Sequence, residues 1–78
     1  MIDSRLFVLL RLSRLDEAIA AYDVVLAKSP TLSASLFGRA VASARKGDKV
    51  NAGDDRAAAI AVSPQVEKTF VGYGVTFP

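Results

Sequence analysis

The sequence predicts an all-α chain: antiparallel helix pairs stacked in tandem, two repeats in all, followed by a C-terminal capping helix. Three observations carry this expectation. Apolar residues recur at helical spacing, and no run alternates with period two, so no strand is expected. The stretches "LAKSPTL" (26–32) and "IAVSPQV" (60–66) place Ser29-Pro30 and Ser63-Pro64 34 positions apart, and a fixed offset of this size is the signature of a repeated structural unit. The same offset of 34 pairs Arg5 with Arg39, Arg11 with Arg45, Ser13 with Gly47, Ala18 with Ala52 and Leu26 with Ile60, with no insertion. It also aligns Ser4, Gly38 and Gly72, all small, and Ile2, Leu36 and Phe70, all apolar. The chain therefore reads as one domain over 1–78, with a first unit at about 1–30, a second at about 31–64 and a capping helix at about 64–74.

Taken in order, the first helix is expected near 2–12, around the apolar run "LFVLL" (6–10) between Arg5 and Arg11. A membrane-spanning helix needs about 20 apolar residues, and the core of a signal peptide about 7–15. This run is shorter than either and is read as a helix buried on more than one side. The second helix, near 15–29, sets Leu15, Ala18, Tyr22, Val25, Leu26 and Ser29 on one stripe, and Ser13-x-x-Asp16 is a capping pattern at its start. The third, near 31–46, sets Ala34, Phe37, Ala40, Val41 and Ala44 likewise. Ser29 is expected to cap it, with Pro30 at its first position, where a missing N–H costs nothing.

"KGDK" (46–49) reads as a tight turn, with Gly47 free to take positive φ and Asp48 able to cap the next helix. That fourth helix, near 48–62, contains the Ala-rich run "DDRAAAIAV". Ser63 and Pro64 repeat the punctuation, and a fifth, shorter helix near 64–72 sets Val66, Phe70 and Tyr73 on one side. In "GYG" (72–74), Gly72 or Gly74 is the expected C-cap.

Composition narrows the chemistry. The 78 residues are 51% hydrophobic, which argues against a disordered tail, but a chain this short has a marginal core. A net charge of +2 is too small to argue for nucleic acid, and "RKGDK" (45–49) reads as a solvated corner. There is no Cys and no His, so disulfides, thiol chemistry and the commonest general base and metal ligand are absent. The acidic pairs Asp16-Glu17 and Asp54-Asp55 favour the positive end of a helix dipole, and sequence neighbours on a helix do not face each other as an acid–base dyad must. An all-oxygen cation site stays open on composition alone. "GYG" lacks the third glycine and following helix of a dinucleotide loop. No enzyme activity, cofactor, metal, nucleic acid or membrane role is expected.

A helix pair repeating every 34 residues and ending in Pro resembles the tetratricopeptide repeat (TPR). "RLDEAIAAYDVVLAKSP" (14–30) is similar to the second helix of that unit, with Ala18, Tyr22 and Pro30 where the family prefers small, aromatic and proline. "SLFGRAVASARKGD" (35–48) resembles the first helix of the next unit and its turn, with Leu36 at the large opening position and Ala40 at the small one. The closing segment also looks like that of small bacterial members. Arg56 and Ser43 depart from the family's aromatic and Tyr positions, which implies a weaker second core unless the Arg56 stem packs and its head reaches water.

The resemblance implies a short right-handed superhelix whose concave groove is lined by the first helix of each pair. Carried over, that groove shows Asp3, Ser4, Phe7, Leu10 and Arg11, then Ala34, Phe37, Gly38, Val41, Ala44 and Arg45. Such a surface suits an amphipathic helix or an extended peptide bearing a negative group. The family's carboxylate-clamp positions hold Asp3, Phe7 and Gly38 here, so chaperone-tail binding is not expected. The other reading of Phe7, Leu10 and Phe37 is that they pack against a neighbouring helix or subunit.

The implied function is a non-catalytic protein–protein interaction or scaffold module. An alternative is structural: arrays generally need about three stacked units, so the chain is either part of a larger protein of this kind or a self-associating module, in which two copies bury "LFVLL" in an isologous homodimer.

Overall fold

The computed structural model describes residues 14–72 and 74–77. These residues form four helices, α1 (Leu15–Lys28), α2 (Ser33–Lys46), α3 (Lys49–Val62) and α4 (Val66–Gly72), with no strand among them. The helix expected at 2–12, with its "LFVLL" run and groove positions Phe7, Leu10 and Arg11, lies outside the described residues.

Local structure follows the 34-residue offset closely. Helices α1 and α3 each run 14 residues, and their N-caps, Arg14 and Asp48, have nearly the same backbone angles (φ −85°, ψ 70° and φ −86°, ψ 79°). Ser29 N–H donates to Val25 O at 2.9 Å, and Ser63 N–H to Ala59 O at 2.9 Å. Leu32 N–H donates back to Ser29 O at 3.1 Å, and Val66 N–H to Ser63 O at 3.1 Å.

Those bonds correct one expectation. Ser29 and Ser63 do not cap the helices that follow; they close the ones that precede them. Helix α2 begins only at Ser33, with Leu32 as an N-cap lacking any side-chain bond, and α4 begins at Val66. A residue before proline is pushed out of the helical region, so each Ser turns extended and ends its helix. Each Pro then sits second in a turn, where its fixed φ fits.

The Gly47 turn forms as expected. Gly47 takes φ 93°, its N–H donates to Ala44 O at 3.1 Å, and Asp48 N–H reaches Ser43 O at 2.9 Å, the paired bonds of a Schellman motif. Asp48 then caps α3: its Oδ1 accepts the Asn51 N–H at 3.3 Å, and its Oδ2 accepts from Asn51 Nδ2 at 2.6 Å. The same motif ends α4 at Gly74, with φ 80°, Gly74 N–H on Val71 O and Val75 N–H on Phe70 O, both at 2.9 Å. Gly74 stands 34 positions after Ala40, which lies mid-helix in α2. Helix α4 is thus only seven residues long, half of α2.

The core is organised around α2. Its contacts with α3 are the most extensive, followed by those with α1, and it also touches α4. Leu36, Phe37, Ala40, Val41 and Ala42 are all buried, around far more of the helix than one stripe. Helix α1 contributes Ala18, Tyr22 and Leu26; α3 contributes only Ala52 and Ala59; α4 contributes Val66 and Phe70. Val75, past the end of α4, is also in the core. Phe37 and Phe70 interlock within it, ring centroids 4.8 Å apart and edge-on at 61°. Such pairs are worth about 0.5–1.5 kcal/mol beyond the area they bury.

Charged groups tie the helices outside the core. Arg39 of α2 donates from Nε and Nη2 to both oxygens of Asp55 on α3 (2.7 and 2.9 Å) and from Nη1 to Asp23 on α1 (2.9 Å). Lys46 pairs with Asp16, again joining α2 to α1.

Candidate functional site

The structure buries Phe37 and Val41 completely, while Arg45 is exposed at the end of α2. The face of Phe37 is covered by Phe70 and by Phe77, whose ring centroid lies 6.0 Å away at a tilt of 50°. Among the described residues, then, Phe37, Val41 and Arg45 do not form one open surface.

An open cavity of about 530 Å³ lies nearby, lined by Ala44, Lys49, Ala52, Gly53 and Phe77. Its shape follows from the sequence. Ala44 is in the last turn of α2, and Lys49, Ala52 and Gly53 begin α3; the Gly47-Asp48 turn holds the two helix ends side by side. Three of the five lining residues are Ala or Gly, so nothing fills the space between them. A β-carbon built on Gly53 would meet no atom within 4 Å. Ala44 belongs to the groove positions expected from sequence. Lys49, Ala52, Gly53 and Phe77 do not, and the one local signal for them is a glycine inside an Ala-rich helix.

Phe77 forms the far wall and is held from two sides. Beyond its contact with Phe37, the Arg56 guanidinium carbon lies 5.1 Å from its ring centroid. Arg56 Nη2 in turn donates to Glu67 of α4, at 3.0 Å to Oε1 and 3.3 Å to Oε2. Arg56 is thus held on both sides: its guanidinium lies over the Phe77 ring, and its charge is neutralised by Glu67. The Arg56 Nε is buried and makes no hydrogen bond.

Two further polar groups are perturbed, both away from the cavity lining. The Tyr22 hydroxyl is buried without a partner, and desolvation pushes its pKa well above the usual tyrosine value. Hydrogen bonding to Asp55 holds the Arg39 charge even more firmly than usual. Lys49 is the only ionisable side chain lining the cavity among the described residues. The site can therefore bury an apolar group and offset one negative charge. No group of three or more acidic side chains that could hold a metal ion occurs among the described residues, and no helix among them is long and apolar enough to cross a membrane.

No protein-family model, curated protein or solved structure matches the chain.

Proposed function

We propose that this chain is a non-catalytic protein–protein interaction module of the tetratricopeptide kind: two helix-pair units and a capping helix, with a docking surface for a peptide or helical segment. The observation that carries this reading is the open apolar cavity between the ends of α2 and α3, with a lysine at its rim. Pockets with an apolar floor and one or two charged groups suit an apolar anchor residue with an adjacent carboxylate. The recurrence of turn and cap geometry at 34 residues supports the two-unit architecture.

The test is selection from a random peptide library displayed on phage, run in parallel on the wild-type chain and on Gly53→Trp, which fills the cavity from a position open to solvent. Peptides combining a large apolar residue with an acidic one should enrich on the wild type and not on the variant. Failure to enrich any sequence, or equal enrichment on both, would rule the reading out.

A second reading is self-association. Val50 and Val62, 75% and 50% exposed, bracket Ala57, Ala58 and Ala61 on the outer side of α3. Light scattering over a dilution series tests it, and a monomer at micromolar concentration would end it.

A further inference from the structure

The segment after α4 does not continue the helix. Gly74, in the left-handed conformation, ends it, and Val75–Phe77 turns back onto α2 and α3. Only two of these side chains hold the strap in place. Val75 is 1% exposed and belongs to the core, and Phe77 is partly buried against it, while Thr76 between them is exposed. The Phe77 ring is set on Phe37, is approached by the Arg56 guanidinium, and forms one wall of the cavity whose rim carries Lys49.

That setting amounts to a receptor for an aromatic residue: an apolar platform, a cation near the ring, and a second cation, Lys49, lining the same cavity for a carboxylate. We infer that Phe77, carried on this strap, is a displaceable occupant of the docking surface, and that the partner segment which displaces it carries an aromatic residue flanked by a carboxylate. The partner's ring takes the place of Phe77 on Phe37 and beside Arg56, and its carboxylate meets Lys49. This rests on the interaction reading above.

The physical logic is that of a tethered competitor. A short tether holds a group at an effective concentration in the millimolar range, so a few contacts suffice to keep the strap seated. The same few contacts are readily outcompeted by a partner of ordinary affinity. The apparent affinity of that partner is reduced by the fraction of molecules in which the strap is closed.

The test uses the full chain and a defined probe: an acetylated, amidated peptide with one phenylalanine between two aspartates, titrated by ¹⁵N NMR. Shifts are expected at Ala44, Lys49, Ala52 and Gly53. Phe77→Ala should bind the probe on the order of tenfold more tightly, since the closed fraction no longer competes. Gly74→Ala is the second variant; it disfavours the turn that launches the strap while leaving the Phe77 ring intact, and should tighten binding in the same direction even if Phe77→Ala loses helicity. Lys49→Glu should weaken binding several-fold, and a probe with alanine for phenylalanine should not bind.

If wild type, Phe77→Ala and Gly74→Ala bind equally while Lys49→Glu still weakens binding, the cavity docks peptides but the strap is no competitor. If Phe77→Ala binds more weakly, Phe77 is part of the receptor wall, and the inference is again overturned. If no form binds at the cavity, the interaction reading falls with it.

Discussion

The ring of Tyr22 lies in the space that a side chain at Gly38 would need. A β-carbon built there would sit 2.7 Å from Tyr22 Cε1 and closer still to Cζ and the hydroxyl. The contact of α1 with α2 at this point thus depends on a residue with no side chain, and the Tyr22 ring of α1 is seated in the notch this leaves. Gly38→Ala should destabilise the chain by about 1–3 kcal/mol through overpacking. The gain of about 1 kcal/mol in helix propensity works against this and does not cancel it. Urea unfolding followed by circular dichroism measures the difference, and a variant as stable as the wild type would show that the notch is not required.

Tyr22 separates ring from hydroxyl. Tyr22→Ala should cost about 3–5 kcal/mol, as large core truncations do. Tyr22→Phe keeps the ring and removes a buried hydroxyl that has no partner, so it should be neutral or stabilising by up to about 1 kcal/mol. A clear loss of stability in Tyr22→Phe would mean that the hydroxyl is bonded in solution.

The same hydroxyl predicts an alkaline limit. Its folded pKa is raised by burial, whereas in the unfolded chain it ionises near about 10. Above that pH the unfolded state has released a proton that the folded state retains, so stability falls as pH rises. The slope approaches about 1.4 kcal/mol per pH unit for one such group. Below pH 10 this contribution is complete. Melting temperatures between pH 8 and 12 should decline steeply in the wild type and less so in Tyr22→Phe.

Arg39 joins three helices through its planar fork. Arg39→Lys keeps the charge but cannot bond both Asp55 oxygens and also reach Asp23, so the exchange is not conservative. It should cost about 1–2 kcal/mol, in the range of charge-assisted hydrogen bonds discounted for partial exposure. Asp23→Asn, on the exposed arm, should cost less than about 0.5 kcal/mol. Equal costs for the two would show that Asp55 is not the main anchor.

Phe37 is the test of core against surface. Fully buried and edge-on to Phe70, it should cost about 3–5 kcal/mol when replaced by Ala, with a lowered thermal midpoint. A cost below about 1 kcal/mol would mean that the ring is free to serve a partner. Binding experiments on the docking surface are better made at Gly53 and Lys49, where the fold does not depend on the side chain.

How much was legible in the sequence depends on the range of the physics involved. The approximate positions of the four described helices, the Gly47 turn and the Asp48 cap could be read directly, because they rest on spacing, φ preference and bonds to residues three to five positions away. The Ser-Pro offset likewise marked two turns of the same geometry, although each Ser closes one helix instead of opening the next. Four outcomes were decided by contacts between segments far apart in the chain. Helix α2 is buried around most of its circumference because α1, α3 and α4 all pack on it, and a one-stripe reading cannot show this. Phe37 and Val41, read as groove residues, became interior for the same reason. The role of Arg56 is set by Glu67 and by Phe77, 21 residues away. The cavity arises where Ala44, Ala52 and Gly53 come together and too little side chain remains to fill the gap. Periodicity reports which side of a helix is apolar; only the packed structure determines what covers that side and where the cover stops.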